Sequence, residues 1–180
     1  MQNRTPRIPQ QPASNHRAEF DARLTEELAA VVTGARRRAL RDGDRQIDTA
    51  HLLHSLIEAD PEVRAAFDGG PQLARVLGYL VQRSIGYGLR WQGAVEDSGA
   101  LAAVTDPPAP EVEGWSPAAV SAMAGAHRRA LKCGRARACG LDLLTVLAGD
   151  RTCRAVEVLE RAGVDAERLM DRIVEVSGRE

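Results

Sequence analysis

The sequence predicts an all-α protein made of two pseudo-symmetric four-helix repeats, eight helices packed together. Three observations predict it. Apolar residues recur at spacings of three and four along most of the chain, the period of a helix with one buried face. No convincing alternating run reads as a strand. A stretch of the chain also returns 91 positions later without a gap: Arg36-Arg37-Arg38-Ala39-Leu40-Arg41-Asp42-Gly43 reappears as His127-Arg128-Arg129-Ala130-Leu131-Lys132-Cys133-Gly134, and Leu24-Thr25 as Trp115-Ser116. Leu52-Leu53 with Leu56 returns as Leu143-Leu144 with Leu147. Each unit alone is too small to bury its apolar faces comfortably, so the copies are expected to pack on each other.

Residues 1–22 are rich in Pro, Gln, Asn and Arg and carry no apolar period, so a flexible tail is expected there. The first repeat spans 23–88. Leu28, Val31, Val32, Ala35, Ala39 and Leu40 form one stripe until Asp42-Gly43 stops the first helix. Gly34 weakens that helix by ~1 kcal/mol relative to Ala. After the polar turn Asp44-Arg45-Gln46, Thr49 is placed to cap a second helix with Leu52, Leu53, Leu56 and Ile57 facing inward. Asp60-Pro61 restarts the chain as a cap followed by Pro at the first helical position, and Val63, Ala66 and Phe67 give this third helix a short buried face. The break Asp68-Gly69-Gly70-Pro71 leads into a fourth helix through Leu73, Val76, Leu77, Leu80, Val81 and Ile85, ended by Gly86 and Gly88.

Residues 89–114 contain Asp106-Pro107-Pro108-Ala109-Pro110-Glu111, an acidic, Pro-rich run expected to act as a mobile linker. The second repeat, 115–178, opens with Ser116-Pro117 and has Val120, Met123, Ala130 and Leu131 as the inner stripe of its first helix. Val156 and Leu159 lie on its third helix, which stops at Gly163. Asp165 is placed to cap the fourth, with Leu169, Ile173 and Val176 facing in.

Composition sets the boundaries. The 180 residues are 44% hydrophobic and 27% charged with net charge −1, which disfavours disorder throughout, collagen and disulfide scaffolds. No apolar run approaches the roughly 18 residues that span a bilayer, and the opening segment lacks the apolar stretch of a secretory signal, so a cytoplasmic protein without membrane contact is expected. In that compartment Cys133, Cys139 and Cys153 read as free or buried thiols. The 24 Lys and Arg against 25 Asp and Glu give no global field toward nucleic acid.

Chemistry-bearing clusters are sparse. His51 and His54 are three apart on one helix, a spacing that could bring two imidazoles to a metal, yet no Cys, Asp or Glu stands at a matched neighbouring position. The three cysteines with His127 form no Cys-x-x-Cys pair for zinc. No G-x-S-x-G elbow or comparable nucleophile context occurs, so no catalytic residue, metal or cofactor is assigned. Arg36-Arg37-Arg38 and His127-Arg128-Arg129 read as solvated outer faces, with an acidic partner or nucleic acid as the functional alternative.

With these residues laid out, the chain resembles the Clp repeat domain, the N-terminal domain of Clp-family AAA+ unfoldases, over about residues 24–178 apart from the linker. Ala39-Leu40-Arg41-Asp42-Gly43 followed by Ile47-Asp48-Thr49-Ala50-His51-Leu52-Leu53 is similar to the family's A-x-x-x-G…I-G-T-E-H-L-L signature. Trp115-Ser116-Pro117 is similar to the aromatic-Thr-Pro that opens the family's second repeat, and Ile85-Gly86-Tyr87-Gly88 to the end of its first. The signature Glu is Ala50 here and Leu141 in the second copy, where Asp142 also replaces the His. The family's two glutamates are associated with recognising phosphorylated arginine. An apolar side chain cannot pair with guanidinium, so the resemblance does not carry that activity over.

No G-x-x-x-x-G-K-S/T loop occurs in these residues, so no phosphate cradle is present and the resemblance implies a free-standing Clp N-domain without the motor. It implies a non-catalytic module that binds a peptide, an adaptor or another component of Clp proteolysis, or acts as a decoy for cyclic-peptide antibiotics that target the unfoldase. The implied contacts are Trp115, Phe20, Leu24, Ser116 and Pro117. The aromatic at the position of Trp115 lies near the repeat junction in the family, although a ring there could equally be a staple on its own helix. The alternative function is a DNA-associated or transcriptional regulator using the Arg-rich helix faces.

Overall fold

The computed structural model describes residues 19–84, 95–97 and 114–178. Eight helices run in order among them: α1 Glu26–Asp42, α2 Thr49–Ala59, α3 Pro61–Ala65, α4 Gly69–Ser84, α5 Pro117–Lys132, α6 Gly140–Gly149, α7 Arg154–Arg161 and α8 Ala166–Ser177. The first four and the last four are the two copies, and their buried residues merge into one apolar core. A helical turn at residues 19–22, within the segment expected to be a tail, precedes α1. Ile85 and the glycines expected to end the fourth helix lie outside the described residues.

The copies share their local devices. Thr25 and Ser116 cap α1 and α5, each accepting from the amide three residues on, at 3.3 and 3.1 Å. Gly43 and Gly134 follow the C-terminal ends, both at φ 73°, where a side chain would be strained. The next amides, of Asp44 and Arg135, close back onto the carbonyls of Ala39 and Ala130, both at 2.9 Å. The cap of α2 is Asp48 rather than Thr49: the Asp48 carboxylate accepts the His51 amide at 2.9 Å, and His51 Nδ1 faces the Asp48 amide at 3.1 Å. An Asp one residue earlier satisfies the same free amides, which frees Thr49 for contacts across the junction.

Pairing between the copies obeys the 91-residue offset. The Thr25 amide donates to Ala138 and the Ala138 amide to Arg23, both at 2.9 Å. Their images 91 positions on are the Ser116 amide donating to Ile47 and the Ile47 amide to Gly114, both at 2.8 Å. Each repeat therefore pairs the residues before its first helix with those before the other's second, a pseudo-two-fold arrangement.

Three expected core positions are corrected. Leu40 is 75% and Leu131 55% exposed. At ~100° per residue, Leu28, Val31, Val32, Ala35 and Ala39 share one arc, whereas position 40 stands roughly 120° from Leu28; Leu131 repeats this in α5. Val81 is likewise half exposed. Gly34, expected only as a weak point, lets α1 approach α2, since a Cβ there would lie 3.1 Å from Ser55 Oγ. Its image Gly125 would meet Val146 Cγ1 at 2.9 Å.

Candidate functional site

The junction of the repeats gathers a dense polar cluster around a residue the sequence did not single out. Glu96, from the segment expected to be a mobile linker, is 5% exposed. Its carboxylate accepts the backbone amides of Thr49 at 2.9 Å and Arg154 at 2.7 Å, the hydroxyl of Ser116 at 2.9 Å, and the hydroxyl of Thr49. Thr49 and Arg154 are the first residues of α2 and α7, so two helix N-termini aim their amides at one anion. Four donors from both repeats thus converge on one residue of the expected linker.

Asp48 stands beside this cluster. It accepts from Arg154 Nη1 at 2.8 Å and also pairs with Arg83. Burial by itself would raise its carboxyl, but the bond with His51 and the charges of His51 and Arg83 outweigh this and hold it below the usual carboxylate range. A cavity of about 580 Å³ opens here, lined by Asp44, Gln46, Asp48, Glu96, Ser116 and Arg154 among others. It is a recess of mixed polar and apolar lining.

The predicted contact residues divide. Trp115 is 5% exposed, and Leu24 and Ser116 are buried too. Trp115 sits inside because Ile47 pairs with it across the junction and Phe20 covers it edge-on, ring centroids 6.2 Å apart. Its Nε1 has no hydrogen-bond partner among the described residues. Phe20 is half-buried and Pro117 exposed, so these two reach the surface. Ala50 and Leu141, at the positions of the family's glutamates, are buried.

His51 and His54 do not converge. His51 faces the Asp42–Asp48 turn, whereas His54 Nε2 lies 3.4 Å from Glu58. Asp42 and Asp44 approach His51 from that turn, so carboxylates do stand beside it, correcting the expectation that none would. Cys133 is exposed, Cys139 half-buried and Cys153 buried, and all three are free. The Arg triplets are only partly solvated faces. Arg38 pairs with Glu58, and Arg129 lies 3.4 Å from Asp142, which Arg135 grips at 2.6 and 2.7 Å.

No protein-family description and no curated protein matches this chain. Among solved structures it is similar to the N-terminal domain of the caseinolytic protease associated chaperone ClpD from Arabidopsis thaliana, with a TM-score of 0.57 and 18% identity over 88% of this chain and 96% of that one. The likeness establishes the fold: an all-helical arrangement of the Clp N-domain kind. No described helix is long and apolar enough to cross a membrane.

Proposed function

We propose that this chain, folded as a Clp N-terminal domain, is a binding module of the Clp type that takes a peptide or a protein partner at the junction of its repeats and performs no chemistry itself. The likeness to the ClpD domain carries this reading, because it extends over nearly the whole of both chains. The partner it suggests is a component, adaptor or peptide of a chaperone–protease system of that kind. The recess at the junction supports it, because a short segment of the chain, Val95–Asp97, is already held there through the Glu96 carboxylate by groups of both repeats. Phe20 and Pro117 supply accessible apolar contacts. Burying one such ring contributes about 1.5 to 3 kcal/mol, or roughly tenfold to over a hundredfold in affinity.

The finer readings are adaptor binding and a decoy role toward cyclic-peptide antibiotics, both in the cytoplasm. Isothermal titration against unfoldase adaptors, degradation-tag peptides and cyclic-peptide antibiotics tests them together. Binding by at least one, weakened about tenfold or more by Phe20→Ala, is the expected result; silence from all three classes refutes the reading. The DNA-binding alternative loses ground because Arg38 and Arg129 already face Glu58 and Asp142.

A further inference from the structure

We infer that Asp42, Asp44 and His51 form a site for a single transition-metal dication, with zinc as the best match. The site lies in the first repeat, where the turn after α1 meets the first turn of α2, and Asp44 also lines the edge of the junction recess, but holding the metal requires no partner there. Gly43 at φ 73° reverses the chain so that Asp42 and Asp44 face the same imidazole. His51 Nε2 lies 3.1 Å from Asp44 Oδ2 and 3.9 Å from Asp42 Oδ2. The three ligand atoms all fall within 4.8 Å of one another, a separation that small side-chain rotations bring onto one ion.

The imidazole is the second, independent observation. His51 is 1% exposed, yet its Nε2 is aimed between the two carboxylates without a well-directed hydrogen bond among the described residues. A buried ring nitrogen is costly to leave in that condition. Its other nitrogen, Nδ1, accepts the Asp48 amide at 3.1 Å in the metal-free protein; with a metal on Nε2 the ring proton moves to Nδ1, which then donates to Asp48 Oδ1, 2.8 Å away. Carboxylate, imidazole and metal in line is the arrangement that fixes ring orientation and ligand basicity in metal sites. Here Asp48 is itself held by Arg83 and Arg154.

The donor set selects the ion. One imidazole and two carboxylates leave a fourth position for water in a tetrahedral shell, which suits zinc, whereas magnesium and calcium favour oxygen-only shells. Asp44 has a third of its side chain exposed and gives the ion an entry path. The groups already on the carboxylates are Ser84, which donates to Asp42 at 2.9 Å, Arg41, 3.4 Å from Asp42, and Arg83, 3.1 Å from Asp44. Arg83 keeps its partner Asp48 when Asp44 turns toward the metal, so binding strands no cation.

The second repeat supplies an internal control. The images of Asp42, Asp44 and His51 are Cys133, Arg135 and Asp142, and there the Arg135 guanidinium lies directly on the Asp142 carboxylate. A fixed cation stands in that copy, so the metal site belongs to the first copy alone.

The test uses the full chain, stripped with chelator and titrated with zinc against a chromophoric competitor, with cobalt(II) as the spectroscopic probe. One zinc per chain is expected, together with a zinc-dependent rise in melting temperature and visible cobalt bands of tetrahedral intensity. Asp44→Asn, at a partly exposed position that leaves the core intact, should weaken zinc at least tenfold and erase the bands, while Cys133→Ser should leave both unchanged. Equal zinc affinity in wild type and Asp44→Asn, thiolate charge-transfer bands in the near ultraviolet, or no binding of either ion would each overturn the inference.

Discussion

Replacing Glu96 by Ala removes the acceptor for four donors at once. The Thr49 and Ser116 hydroxyls can rotate toward other partners or water. The amides of Thr49 and Arg154 cannot, because their directions are fixed by α2 and α7. An unsatisfied buried amide costs about 1–3 kcal/mol, so two of them, partly rewetted through the adjoining cavity, put the expected loss at about 3 kcal/mol. For a chain of this length each kcal/mol lowers the melting temperature by roughly 2–4 °C, which gives a drop of about 6–12 °C. Thermal unfolding followed by far-ultraviolet circular dichroism measures it. Asp97→Ala, one residue along and exposed, serves as the control and should melt with the wild type. A Glu96→Ala protein that also melts with the wild type would refute the argument that this residue ties the repeats together.

Three further outcomes are expected. Gly140→Ala places a Cβ 2.0 Å from Asp60 Oδ2 and 3.0 Å from Val63 Cγ2. It should cost about 1–3 kcal/mol in urea unfolding, whereas Gly149→Ala, in open space on the same helix, should be neutral or slightly stabilising. Burial, and then the charge of Arg38, push His54 down to about 4. Its folded value thus lies below its unfolded one, so the stability it contributes is present above the unfolded value near 6.5 and lost as pH falls from there toward 4. The loss is on the order of 3 kcal/mol, and His54→Leu should flatten the stability profile across that window. Finally, burial pushes the Cys153 thiol up to about 11, so a disulfide reagent at pH 8 should label exposed Cys133 quickly and Cys153 only on unfolding.

The helices and their duplication were legible because both are written in local spacing. Apolar stripes marked each long helix, and the repeated Arg-rich segment set the offset that the backbone pairing at the junction obeys. Errors arose where one residue of phase decides the outcome. Leu40 continues the apolar run but not the arc, and Thr49 resembles a cap that Asp48 already provides. The junction itself was hidden. Glu96 is a single acidic residue in a polar segment, and its partners lie 47, 20 and 58 positions away, a relation no periodicity encodes. The approach of Asp42 and Asp44 to His51 spans fewer than ten residues, yet it depends on the direction of a turn, which spacing on a single helix does not reveal. Trp115 stands out through its likeness to the aromatic-Thr-Pro motif, but only the Ile47 and Phe20 contacts place it inside.

Two-fold contacts between identical subunits impose every substitution twice, since a change on one side of the axis recurs on the other. Joining both halves in one polypeptide lifts that obligation. The effect is visible where Asp44 faces His51 in one half while Arg135 faces Asp142 in the other, so that the acidic partner has changed places. No symmetric homodimer could hold both versions. A fused pair can thus give one half a task while the other keeps the scaffold rigid, and here the halves have already parted in the charge each presents beside an otherwise matched helix start.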